Sequence, residues 1–146
     1  MYQGLMDYLK KCPHLAEGKF NFDFIGDEVG YSLTIPENTP EISKDIYGNT
    51  KNRLVFHIQA VKPFGKNNDS NMSNLEIFQK LKDWLSEQNA NGIYPDFGTD
   101  KIVIGVYAAT DGYILGTQKE SALYEIQARV EYTIRSKGRI KAPSFF

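Results

Sequence analysis

Three acids, Asp23, Asp27 and Glu28, come closest to a cluster that could do chemistry. Carboxylates so placed could hold a divalent cation, which takes oxygen ligands, or divide into an acid–base pair. Both uses need further groups, and no histidine or oxygen-rich loop converges with them in sequence. A solvated turn is the better reading. Cys12 and His14 flank Pro13, a thiol near an imidazole, as in an activated nucleophile. The pair follows a helix end, however, and a buried or half-buried structural cysteine accounts for it. His57 stands on the polar side of a predicted strand and reads as a sheet-surface histidine rather than a catalytic base. The stretch KPFGKNND (62–69) has a glycine and two lysines but does not match the phosphate-cradling GxxxxGK[ST]. Asn71-Met72-Ser73 matches a glycosylation sequon, which carries no meaning without a secretion signal. Metal-ligand spacing, a serine elbow and interleaved basic and aromatic residues are all missing. The expectation is of no catalytic residue, no metal and no cofactor.

The elements that would position these residues are clearer. Ile77, Phe78, Leu81, Trp84 and Leu85 recur at helical spacing within 73–92, with Glu76, Gln79, Lys80, Lys82, Asp83 and Glu87 on the other faces. Ser73 with Glu76 reads as a capping box, and Gly92 as the left-handed residue that closes the helix. Trp84 is expected to be largely buried between helix and sheet. Tyr2, Leu5, Met6 and Leu9 mark a short N-terminal helix ended by Pro13. Phe20, Phe22 and Phe24 alternate as a strand, and Gly26-Asp27 reads as the turn of a hairpin returning through 29–35. Residues 36–52 form a long polar stretch with Ile42, Ile46 and Tyr47 as its apolar anchors, either mobile or shaped to touch a partner.

Leu54, Phe56, Ile58 and Ala60 then face one way along 53–62, opposite Arg53, His57 and Gln59. After the central helix and a Pro- and Gly-punctuated link come strands over 102–109 and 113–116. The last strand has the strictest period. Tyr124, Ile126, Ala128, Val130, Tyr132 and Ile134 alternate with Glu125, Gln127, Arg129, Glu131, Thr133 and Arg135. Such alternation implies a half-solvated and therefore antiparallel sheet. The fold class is α+β: an antiparallel (mixed) sheet covered by one long helix and a short N-terminal helix. Residues 1–135 make one domain, and 136–146, with three basic residues and two terminal phenylalanines, an arm.

The chain's 146 residues, 41% hydrophobic and 13% aromatic, suit one domain with a sizeable core. A formal net charge of -1 gives no reason to expect non-specific binding to nucleic acid or an acidic membrane. One cysteine excludes an internal disulfide framework and fits a reducing compartment. Neither a signal pattern nor a bilayer-length apolar run is present, so a soluble protein made in a cytoplasm is expected.

Six segments in order carry a resemblance: YLKKCPHL (8–15), FDFIGDEVGYSLTIPE (22–37), IYGNTKNRLVFHIQAVKPFG (46–65), LEIFQKLKDWLSEQNANGIYPDFG (75–98), TDGYILG (110–116) and ALYEIQARVEY (122–132). Their sequence and separations resemble the tail terminator family of long-tailed bacteriophages, in the Gram-positive prophage branch labelled minor capsid protein. The resemblance implies a virion structural protein of the tail and neck, made in the bacterial host cytoplasm. It would form a ring, typically a hexamer, at the head-proximal end of the tail tube. There it would stop polymerisation of the tube protein and meet the head-completion or connector proteins. Another head–tail connector or tail-completion protein is the alternative, followed by a small enzyme or ligand-binding domain using the three acids. By length and polarity the interface candidates are Ile46, Tyr47, Phe64, Lys66, Arg139, Lys141, Phe145 and Phe146.

Overall fold

Two 14-residue strands, β4 (Thr50–Pro63) and β7 (Ser121–Ile134), form the spine of the fold. They pair antiparallel along their whole length, from Thr50 opposite Ile134 to Pro63 opposite Ser121. The computed structural model describes residues 1–15, 19–22, 30–36, 41–63, 68–118 and 121–135. Each long strand is flanked by two short ones lying end to end. β2 (Gly30–Thr34) and β3 (Glu41–Lys44) pair with β4, while β5 (Lys101–Ala108) and β6 (Tyr113–Gln118) pair with β7. All of these pairings are antiparallel. β1 (Lys19–Phe22) adds to the outer side of β2 in parallel. With helices α1 (Tyr2–Lys10) and α2 (Asn68–Ala90), the fold is α+β.

The alternation in β4 and β7 sorts side chains onto two faces as expected. Leu54, Phe56, Ile58 and Ala60 are buried together with Tyr124, Ile126, Ala128 and Val130. Across the strands large residues meet small ones, Phe56 opposite Ala128 and Ala60 opposite Tyr124, so volume is matched pair by pair. Burying each such large side chain stabilises the fold by about 1.5–3 kcal/mol.

Both helices feed this core. Leu5, Met6, Tyr8 and Leu9 of α1 are buried in it, as are Phe78, Leu81 and Leu85 of α2. α2 lies against β5 and against the 3-10 turn Pro13–Leu15 that follows α1. Its C-terminus closes as the sequence indicates. Gly92 sits at φ 68°, its N–H bonds Asn89 O at 3.2 Å, and the Ile93 N–H bonds Gln88 O at 2.9 Å. That bond pattern is a Schellman closure, and glycine meets its left-handed backbone without a Cβ penalty. The Asn89 amide then docks the helix end on β5: Nδ2 donates to Val106 O at 2.6 Å, and Val106 N–H donates to Oδ1 at 3.0 Å. A side chain thus occupies part of an edge strand's open ladder.

Four expectations need correction. Residues 19–22 and 30–34 are not a hairpin, because β1 and β2 run parallel. The separation between Phe22 and Gly30 exceeds what a two-residue turn spans, and alternation sets faces, not strand direction. The stretch 36–52 is not a plain loop, since β3 turns back into β4, which starts at Thr50. α2 begins at Asn68, so Ser73 lies inside the helix and cannot cap it. Trp84 is only half-buried and packs at the margin of the core on Tyr8 of α1, ring centroids 5.2 Å apart, rather than between helix and sheet.

Candidate functional site

Two places depart from what the core requires. The first is the tip joining β3 to β4. The Asp45 carboxylate accepts the backbone N–H of Tyr47 and of Asn49, each at 2.9 Å, and the Asn49 side-chain amide at 3.1 Å. The Asp45 N–H reaches Asn49 O at 2.9 Å and Gly48, at φ 86°, closes the turn. Desolvation works to raise the Asp45 pKa, but the bonds from Asn49 and Tyr47 hold it below the ordinary carboxylate value. On this locked turn Ile46 is 85% exposed and Tyr47 52%, with Ile42 exposed at the base. Ile46 is the most exposed large apolar side chain among the described residues. The three are exposed rather than buried as anchors that tie a loop down, Ile46 most of all.

The second place is the outer face of the sheet, opposite the helices. Glu125 of β7 is 4% exposed although it carries a charge. Its Oε1 accepts Gln59 Nε2 at 2.8 Å and lies 3.2 Å from His57 Nδ1, both on β4. Tyr113 of β6 donates its hydroxyl to Oε2 and accepts Gln127 Nε2 at 2.9 Å. Burial works to raise the Glu125 pKa, but the bonds from Tyr113 and Gln59 and the nearby His57 bring it below the ordinary value. Burial and the bond to Glu125 push the Tyr113 phenol up. A buried carboxylate met by groups from β4 and β6 is a satisfied polar network, which rigidifies the sheet where β6 joins it.

Sequence reading placed His57 on the polar face, where it is, but missed its partners. They lie on separate strands, and Gln59 is 66 residues from Glu125. The one available signal was a glutamate within a strand on a face otherwise open to water. Cys12 is buried as expected, and burial pushes its thiol up. Asp23, Asp27, Glu28, Phe64, Lys66, Arg139, Lys141, Phe145 and Phe146 lie outside the described residues. Among the described residues no group of His, Cys, Asp and Glu is placed to hold a metal, and no helix is long and apolar enough to cross a membrane. No protein-family model matches the chain, and no curated protein matches it significantly.

Proposed function

We propose that this chain is a virion structural subunit of the tail terminator kind. It is made in the bacterial host cytoplasm and built into the tail and neck. Copies arranged in a ring, typically six, end polymerisation of the tail tube and present a surface to the head-completion or connector proteins. The ordered motifs between 8 and 132 support this reading, and the observation that carries it is the β3–β4 tip. An isoleucine and a tyrosine held outward on a hydrogen-bonded turn cannot fold back onto their own core. Such preorganised apolar groups gain affinity for a partner because little freedom remains to be lost.

In this role α2 covers the inner face of the sheet, and the slab repeats around the ring axis. Ile46 and Tyr47 meet a neighbour or the tube, together with Phe64 and Lys66 and the arm 136–146 with Arg139, Lys141, Phe145 and Phe146. No catalytic step, metal or cofactor enters, and neither nucleic acid nor membrane is a specific partner. Phage carrying Ile46→Asp with Tyr47→Ser should yield overlong or headless tails in electron micrographs of lysates. Normal virions would refute the assignment.

The alternative connector or tail-completion role would place the ring at the portal instead of the tube end. A second reading, a ligand-binding domain or small enzyme, is favoured by the Glu125 network alone. A ligand- or metal-dependent rise in melting temperature that disappears in Glu125→Gln would support it.

A further inference from the structure

The outer face of the sheet carries charge that its own fold does not balance. Arg53 on β4 faces Glu131 on β7, and Arg129 faces Val55, so the two arginines are diagonal neighbours on one face. Diagonal positions on paired strands lie about 7 Å apart, within reach of long side chains. The Nε of each arginine is buried without a hydrogen-bond partner among the described residues. Neither guanidinium has a carboxylate within salt-bridge distance there. Glu131 reaches Lys51 instead, at 4.0 Å. Arg129 is held by stacking, its guanidinium carbon 5.0 Å from the centre of the Tyr107 ring. A Cβ on Gly105 would fall on the hydroxyl end of that ring, so a larger residue there would have to displace the tyrosine. The arrangement is built: a glycine admits a tyrosine, the tyrosine supports an arginine, and a second arginine stands beside it. Two like charges side by side, with no carboxylate in salt-bridge reach among the described residues, favour a counter-charge from outside, although their occluded Nε atoms lie beyond its reach.

The opposite surface of the slab supplies one. Phe78, Leu81 and Leu85 turn α2 inward, which leaves Glu76, Asp83 and Glu87 along a single outward stripe, with Lys80 among them. All four are exposed. Asp83 accepts Gln79 Nε2 at 3.1 Å, and Lys82 is taken up by Asp111 at 2.6 Å, off the stripe. Asp83 and Glu87 are about 6 Å apart along the helix axis, close to the spacing of the arginine pair.

The geometry points to a head-to-tail contact between copies of this chain, in which the Glu76–Asp83–Glu87 stripe of α2 on one copy seats on the Arg53–Arg129 pair of the next. Different surfaces meet in such a contact, so it repeats from copy to copy and closes into a ring when the rotation allows. Its occupant is a second copy because the complementary charge is already present on the opposite face of the same molecule. Ile102 and Tyr107, exposed on β5, border the arginines and supply apolar area beside the charges. The contact rests on the repeating subunit proposed above and names its interface.

Sedimentation velocity on the full chain tests it. The wild-type chain should associate weakly at high protein concentration in low salt, and less as salt rises, since exposed charge pairs are screened. Arg53→Glu with Arg129→Glu, and separately Asp83→Lys with Glu87→Lys, should each weaken association about tenfold. An equimolar mixture of the two variants should recover it, because each then offers a surface complementary to the other. Circular dichroism melts show that each variant is folded, and recovery on mixing cannot come from damaged folds. A chain monomeric at every concentration in low salt would overturn the contact. So would association indifferent to both reversals, or a mixture that stays dissociated. If the arginine variant associates like wild type but no longer caps tail tubes, the arginines meet the tube protein and the proposal is wrong. Association and tube capping are read separately, so the contact and the terminator role can fail independently.

Discussion

The two faces of the β4–β7 ribbon use the same backbone for opposite purposes. The inner face is apolar and size-matched, with Phe56 against Ala128 and Ala60 against Tyr124, and side chains of both helices join its core. The outer face keeps a buried glutamate inside a polar network and leaves the Nε of two arginines without a hydrogen-bond partner among the described residues. Burial of apolar area stabilises without regard to direction, whereas buried polar groups stabilise only when every donor and acceptor is met. The inner face explains why the chain folds. The outer face is more specific than folding alone requires, at Gly105, Tyr107 and Arg129 above all.

The largest expected effect lies on the inner face. Phe56 is fully buried, so Phe56→Ala should destabilise the domain by about 3–5 kcal/mol. Urea unfolding measures this, and a loss below ~1 kcal/mol would mean that the inner face is not the core.

Glu125→Gln on the outer face should have an intermediate effect, about 1.5–3 kcal/mol, the value of hydrogen bonds to a charged group. Its pH dependence has a definite sign. The folded-state pKa of Glu125 is depressed, so its contribution is fully present above the ordinary glutamate value. That contribution fades as pH falls through the folded pKa. Wild type should therefore lose more stability than Glu125→Gln when acidified below pH ~4.3. Parallel losses would show that the network does not hold a charged carboxylate.

The smallest effect should come from the arginines. Arg53→Met removes a charge whose buried Nε has no partner among the described residues, and it keeps the apolar stem. The isolated domain should change by no more than about 0.5 kcal/mol, or become slightly more stable. A large loss would make Arg53 part of the fold and dissolve the contrast between the faces.

The inner face was also the legible one. Alternation over 54–60 and 124–132 marks residues that are buried, and Gly92 ends α2 as its type suggests. Both signals are local and periodic. The β3–β4 turn escaped notice among polar residues, although Asp45 followed by Gly48 and Asn49 is a turn pattern with a mechanism, an aspartate bonding the backbone just ahead of it. The parallel pairing of β1 could not be read, because face patterning is identical in either direction. The Glu125 network and the Arg53–Arg129 pair were illegible for a different reason. Each joins strands far apart in the chain, and only the register of β4, β6 and β7 brings their residues together. The proposed role draws on motif resemblance and on surface chemistry, neither of which periodicity can supply.

Tail tube assembly in vitro tests that role most directly. Tube protein polymerised from its initiating complex, with this chain added partway, should stop elongating and show a ring at its growing end by negative-stain electron microscopy. Arg53→Glu with Arg129→Glu should fail to stop it. Tubes that reach the same length distribution with and without the wild-type chain would contradict the assignment.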